Sequence, residues 1–291
     1  MPRVVFPEHS SATERFTASF GVAVAAAVIS LNGLTVGLAT LAVNLGAAAV
    51  TLFVLPGVRG RPSATARFLG HTFPLLIFFL FYKECGLILL RPGVNWRDAS
   101  LGRTERVLQE VFPDIPAGAG ELLSASYMSY IPFVITAAIL VFRGDAHSRG
   151  LETLVRRICL AWALCFTAFV VFPVLGPRFV DAPAQEALLG EGPFGVMALY
   201  NQRYSMLHGG AFPSAHIAAS VIALGALSLR QRMLFLPLVL AIFVSVVALR
   251  YHYRIDVVAG IAVGLGAIAL DRTFMALSAP GEDTGRVLIG T

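Results

Sequence analysis

His216, His252 and Asp256 carry the chemistry that this sequence offers most directly. Asp256 follows His252 by four residues, so at a helix start their side chains share a face. A carboxylate bonded to one imidazole nitrogen fixes the tautomer and leaves the other nitrogen free to attack or to take a proton. His216 closes the run Ala211-Phe212-Pro213-Ser214-Ala215-His216, which precedes an uninterrupted apolar stretch. Pro213 fits a helix N-terminus there, and Ser214 can cap it. Free backbone N–H groups at such an end attract an anion. A phosphate seated there would have His216 within one turn, able to protonate a leaving oxygen.

Cations on the same side complete the set. Arg178 follows the helix stop made by Pro173, Gly176 and Pro177. Lys83 and Arg91 are eight residues apart, close to two helical turns, and are expected on one helix face. Lys83 lies within an apolar stretch, where a cation is costly and usually functional or paired. Arginine's planar fork suits phosphate oxygens. Two histidines, an aspartate and several cations fit phosphoryl transfer, where positioning and charge neutralisation supply most of the rate.

The elements that must hold these residues are membrane helices. Hydrophobic residues make up 57% of the 291-residue chain and charged ones 13%, against about 25% charged in soluble proteins. Mean hydropathy is +0.76. The expected fold is an all-α polytopic membrane bundle with about eight membrane helices, near 16–31, 34–55, 71–90, 123–142, 158–175, 214–229, 233–250 and 256–277. Residues 1–70 are expected to form an N-terminal membrane hairpin and 71–291 the catalytic core. At about 1.5 Å per residue, 217–229 and 233–249 each roughly cross a bilayer. Up and back returns the chain to the side it left, so His216 and His252 share one membrane face. Residues 93–122 and 179–210 read as polar connections. Within the first, Leu101, Val107, Leu108, Val111 and Phe112 alternate with Arg103, Arg106 and Glu110, the pattern of an amphipathic surface helix.

The net charge of +5 does not point to nucleic acid, because the arginines are spread over short loops, where they orient membrane helices. Eight crossings put thirteen basic residues, from Arg3 to Arg286, on the side of the termini and nine on the side of the histidines. The excess places the histidines on the extracytoplasmic or luminal face. Cys85, Cys159 and Cys165 fall in apolar runs and read as packing. No metal-ligand spacing is present, and the chemistry calls for no metal or cofactor. Gly260, Gly264 and Ala259 form a small-residue face for helix packing.

The run Phe212-Pro213-Ser214-Ala215-His216, followed by His252-Tyr253-Arg254-Ile255-Asp256-Val257-Val258-Ala259-Gly260, resembles the type 2 phosphatidic acid phosphatase superfamily. Phe172-Pro173-Val174-Leu175-Gly176-Pro177-Arg178-Phe179 resembles its inositol phosphorylceramide synthase branch. The resemblance covers roughly residues 70–275. It implies a six-helix membrane core, His252 as a nucleophile forming a phosphohistidine, Asp256 orienting it and His216 as general acid. It implies phosphate contacts from Ser214 and Arg178, with Arg91 and Lys83 as further candidates. Two departures stand out. The superfamily separates its first-motif lysine and Arg-Pro by six residues, whereas seven separate Lys83 and Arg91. Its third motif has Ser-Arg where this chain has Ser245 and Val246. Absence of that arginine is typical of the synthase branch, which makes Arg178 the safer phosphate ligand; Arg250 and Arg254 are candidate substitutes off the motif position.

The expected activity is that of an integral-membrane lipid-phosphate phosphatase or phosphotransferase. Its partners are a membrane lipid phosphate and, in transfer, an alcohol or lipid acceptor. An inositol phosphorylceramide synthase-like transferase and a non-catalytic lipid-phosphate binder or transporter are the alternatives.

Overall fold

The computed structural model describes residues 9–111, 119–145, 147–204 and 206–278. Arg3, Arg286 and Phe112, which entered the charge count and the surface-helix pattern, lie outside them. The described residues are helical without strands. Helices α1 (Ala12–Asn32) and α2 (Leu34–Ala49) form a hairpin, and α2 continues through a π-helical turn, Val50–Val54, into α3 (Leu55–Arg59). Helix α4 is Ala64–Leu89, and α5 is Asp98–Val111. Helices α6 (Gly120–Met128) and α7 (Tyr130–Gly144) run nearly end to end, and α8 is Arg149–Val171. Three short helices follow, α9 (Pro177–Val180), α10 (Ala182–Glu186) and α11 (Pro193–Tyr204). The chain ends its described part with α12 (Ala215–Ala226), α13 (Leu229–Ala248) and α14 (Arg254–Ser278).

Seven helical segments are long and apolar enough to cross a membrane: Ala12–Asn32, Leu34–Arg59, Ala64–Leu89, Gly120–Gly144, Arg149–Val171, Leu229–Ala248 and Arg254–Ala276. The eighth expected span is short. Helix α12 has 12 residues, about 18 Å of rise, against a hydrocarbon core of about 30 Å. It can be short because protein, not lipid, surrounds it. It packs against α7, α8, α13 and α14, and Ile217, Ala218, Ala219, Ser220, Ile222 and Ala223 are all buried.

Helix boundaries differ from the hydropathy reading where polar groups find partners. Helix α1 starts at Ala12 rather than near 16, because Ser11 and Glu14 form a capping box. Buried Glu14 also meets Arg59 at 3.2 Å, tying α1 to the end of α3. Helix α4 starts at Ala64, on Ser63 as its cap, and runs through residue 71, where the catalytic core was expected to begin. Residues 179–210 are not a plain polar connection. Glu121 accepts the N–H groups of Phe194 and Gly195 at 2.8 and 3.0 Å and so caps α11 from α6.

Helices cannot associate in lipid through apolar burial alone, so close packing and polar pairs hold them together. A Cβ on Gly260 would stand 2.6 Å from the Ser214 carbonyl oxygen, and one on Gly264 would stand 2.8 Å from that of Ala218. The absence of side chains there brings α14 against α12. Far from that contact, buried Asp271 of α14 accepts from Arg156 at 2.5 Å and Arg157 at 2.8 Å on α8. Asn44 of α2 donates to buried Glu84 of α4 at 2.9 Å. Between α4 and α8, Phe78, Phe81, Trp162 and Phe166 form the aromatic centre of the core.

Candidate active site

Three segments converge at one end of the bundle. The first follows α8. Pro173 ends the helix run, and the chain turns at Gly176, whose φ of +90° suits glycine. A Cβ there would also meet that of Ala211 at 2.8 Å. This turn directs Arg178 inward, where it is only 2% exposed. Its Nη1 donates to the Tyr251 carbonyl at 3.3 Å and its Nη2 to that of Gly209 at 3.4 Å. Its buried Nε has no hydrogen-bond partner among the described residues.

The second segment leads into α12. Ser214 occupies the N-cap position but makes no side-chain cap bond, so the expected capping role does not hold. Its backbone N–H instead donates to the Asp256 carbonyl at 3.0 Å. Its hydroxyl is turned to His252 Nε2, 3.2 Å away. Pro213 lies one residue outside the cap.

The third segment carries His252, which precedes α14 rather than lying on it. Its Nδ1 is 2.8 Å from the Ala211 carbonyl oxygen and 3.2 Å from Asp256 Oδ2. Both neighbours are acceptors, so Nδ1 carries the proton and Nε2 is left unprotonated, an acceptor. The Ser214 hydroxyl is then the donor to Nε2. Asp256 Oδ2 also accepts the Tyr253 N–H at 2.9 Å, so the carboxylate is fixed by the loop that it orients. Burial, then the nearby His216 and Arg178, hold His252 well below the usual imidazole range, against the Ala211 carbonyl, which raises it.

These segments border a cavity of about 570 Å³. Lys83, Arg178, His216 and His252 line it, together with Tyr82, Tyr127, Tyr130, Asn201 and an apolar wall that includes Phe78, Phe79, Trp162, Phe166 and Phe169. The His216 and His252 rings are 5.7 Å apart. His216 lies edge-on to Tyr130 at 4.8 Å and beside Tyr127 at 5.6 Å. Its Nδ1 has no hydrogen-bond partner among the described residues. Ser214 and Asp256 are fully buried behind His252.

Other expected residues stand apart. Arg91 is not among the residues lining the cavity. Helix α4 ends at Leu89, so the helix face that Lys83 and Arg91 were expected to share does not extend to Arg91, which bonds the Ile88 carbonyl at 3.5 Å. Arg250 pairs with Asp181 at 3.8 Å and Arg254 with Glu105 at 2.8 Å; neither lines the cavity. His208 is exposed and stacks on Phe179. Among the described residues, no group of three or more His, Cys, Asp or Glu side chains gathers as a metal site would.

Some of the surroundings were not anticipated. Tyr127 and Tyr130, three apart, present to His216 from α6 and α7; their i,i+3 spacing was the available signal. Asp98 and Glu105 are seven apart, which puts them on one face of α5, and both reach the site loops.

The architecture and this convergence of His, Asp and Arg define a helical membrane protein with a phosphate-suited cavity. The PAP2 superfamily matches residues 97–270, more than half of the chain, and the chain belongs to that superfamily. Its members are phosphatases and phosphotransferases, which supports an enzyme of that kind acting on lipid phosphates. No curated protein and no solved structure matches the chain.

Proposed function

We propose that this protein is a lipid-phosphate phosphatase or phosphotransferase that works through a phosphohistidine on His252. The arrangement around His252 carries this reading: a proton held on Nδ1 by Ala211 and Asp256, and an unprotonated Nε2, its lone pair met by the Ser214 hydroxyl, beside the cavity. In the first step Nε2 attacks phosphorus, the ester P–O bond breaks, and His216 gives its proton to the leaving alkoxide. In the second step water or an alcohol attacks the phosphohistidine while His216 takes its proton, and the P–N bond breaks. Asp256 stabilises the positive imidazole between the steps. The Nε of Arg178 and the Lys83 ammonium supply charge to the phosphoryl oxygens. The apolar wall suits the hydrocarbon part of a lipid.

Hydrolysis and transfer share the first step and differ in what enters for the second. The Gly176-Pro177-Arg178 segment and the arginine-free position at Val246 favour, within this reading, a synthase-like transferase that uses a lipid or inositol hydroxyl. Phosphate release from dioctanoyl phosphatidate by detergent-purified protein tests the common step. His216→Ala should lower the rate by about 100-fold or more, and His252→Ala should reduce it to background. Equal background release by wild type and both variants, on several lipid phosphates, would leave the non-catalytic binder as the better description. A labelled donor with candidate acceptors then separates water from alcohol by the product formed.

A further inference from the structure

We infer that α5 is the positioning element of this site: Asp98 and Glu105 hold the Arg178 segment and the His252 segment at a fixed separation. This rests on the reading of His252 as nucleophile and Arg178 as phosphate ligand. Asp98 Oδ1 accepts the Gly176 N–H at 2.9 Å and the Tyr253 hydroxyl at 3.0 Å. Its Oδ2 accepts the Leu175 N–H at 2.9 Å. One carboxylate therefore bridges the turn before Arg178 and the residue after His252. Two turns along, Glu105 Oε2 accepts the Arg254 N–H at 2.8 Å and the Ile255 N–H at 3.4 Å, and Oε1 takes the Arg254 guanidinium at 2.8 Å. Glu105 thus caps α14 just before Asp256. Between these carboxylates, Leu101 packs on Val174 and Ala211, so one helix touches all three converging segments.

The direct links from the Arg178 segment to the other two are longer, and those of the guanidinium are the ones a substrate disturbs. Arg178 reaches the Tyr251 and Gly209 carbonyls at 3.3 and 3.4 Å, and the Ala211 N–H reaches the Val174 carbonyl at 3.3 Å. A phosphate oxygen competes for the guanidinium donors, because a charge-assisted bond is stronger than one to a neutral carbonyl. The α5 bonds, that to the Ile255 N–H apart, are shorter at 2.8–3.0 Å, end on carboxylates, and use no donor that a phosphate would take. They persist when Arg178 turns to substrate and keep it from drifting relative to His252. Asp98 also connects through Tyr253 to Asp256 and so to His252 Nδ1.

Detergent-solubilised full-length protein tests this with dioctanoyl phosphatidate turnover and amide hydrogen exchange. Asp98→Asn keeps the shape but turns one acceptor into a donor facing an N–H or O–H group. It should lower kcat by up to about 100-fold with KM little changed, and speed exchange in both 172–180 and 250–256 while the membrane helices stay as protected as before. Glu105→Gln should loosen 250–256 alone. Tyr253→Phe removes a single hydroxyl; it should lower kcat less, in the same direction, and it carries the test if Asp98→Asn does not fold. Wild-type kcat in both Asp98→Asn and Tyr253→Phe, a rise in KM with kcat unchanged, or exchange accelerated throughout the protein would overturn the inference. If the wild type itself releases no phosphate, the proposed function falls, and the exchange pattern alone decides whether α5 couples the two segments.

Discussion

His252 gathers more constraints than any other residue of the site. Its Nδ1 proton is shared between the Ala211 carbonyl and Asp256, the carbonyl being the nearer. The backbone therefore sets the ring's tautomer as much as the aspartate does. The imidazole is 3% exposed, and burial is the main reason that it resists protonation. A neutral ring is what the proposed nucleophile needs, and acidity that would charge an ordinary histidine leaves this one neutral. The same shift has a thermodynamic sign. Below the ordinary value of 6.5 the unfolded chain holds a proton on this residue that the folded protein refuses. Protonation then favours unfolding, and stability falls as the pH drops below that value, while above it the residue contributes no pH dependence. One such group sets a slope of at most about 1.4 kcal/mol per pH unit. Thermal unfolding in detergent should show His252→Gln losing less stability than wild type between neutral and mildly acidic pH. Parallel pH profiles for the two proteins would contradict the neutral, buried ring.

Helices α12 and α14 decide whether the residues can meet. Gly260 lets α14 approach Ser214, whose backbone N–H bonds Asp256 and whose hydroxyl faces His252 Nε2. Gly260→Ala would drive a methyl group into the Ser214 carbonyl, with an overpacking cost of about 1–3 kcal/mol. Activity should fall further than thermal stability does, because the displaced backbone is that of the site; Gly225→Ala, where only Ile268 stands near at 3.9 Å, should leave both nearly unchanged. Equal behaviour of the two variants would remove the close approach as a cause. The helix-packing role of Gly260 and Gly264 was legible in their spacing, as were the His252–Asp256 offset and the pairing of chain directions that brings His216 back to His252. The length of α12 was not, because hydropathy measures what lipid requires and this helix is enclosed by protein. Nor was α5's part legible. Its apolar residues matched a membrane-surface helix, yet Leu101 is buried against Val174 and Ala211. Carboxylates that cap a helix more than seventy residues away, as Glu121 does for α11, leave no local trace. Arg91 shows the converse: periodicity extended a helix face past Leu89, where the chain had already turned.

At the scale of the whole molecule, the path of the helices separates two ends. Residues 90–111, 172–204, 206–214 and 249–253 gather at the site end, and the turns at 60–63, 147–148 and 227–228 at the other. The far end holds Arg59 with Glu14, and Arg156 and Arg157 with Asp271. Those arginines are thus held by structure as well as counted by orientation, yet a translocating chain responds to them before they pair. Basic residues near short loops favour retention in the cytoplasm, and on that ground we propose that the cavity and its His pair face outward. A lipid phosphate would then be processed in the outer or luminal leaflet, with released phosphate leaving on that side. Single cysteines report the orientation directly, because Cys85, Cys159 and Cys165 are buried and contribute little background. Asn95 at the site end and Arg61 at the far end are both exposed. In intact cells, a membrane-impermeant maleimide should label Asn95→Cys at once and Arg61→Cys only after permeabilisation. The reverse pattern would put the cavity in the cytoplasm, and the positive residues of the loops would then have failed to set the direction of the chain.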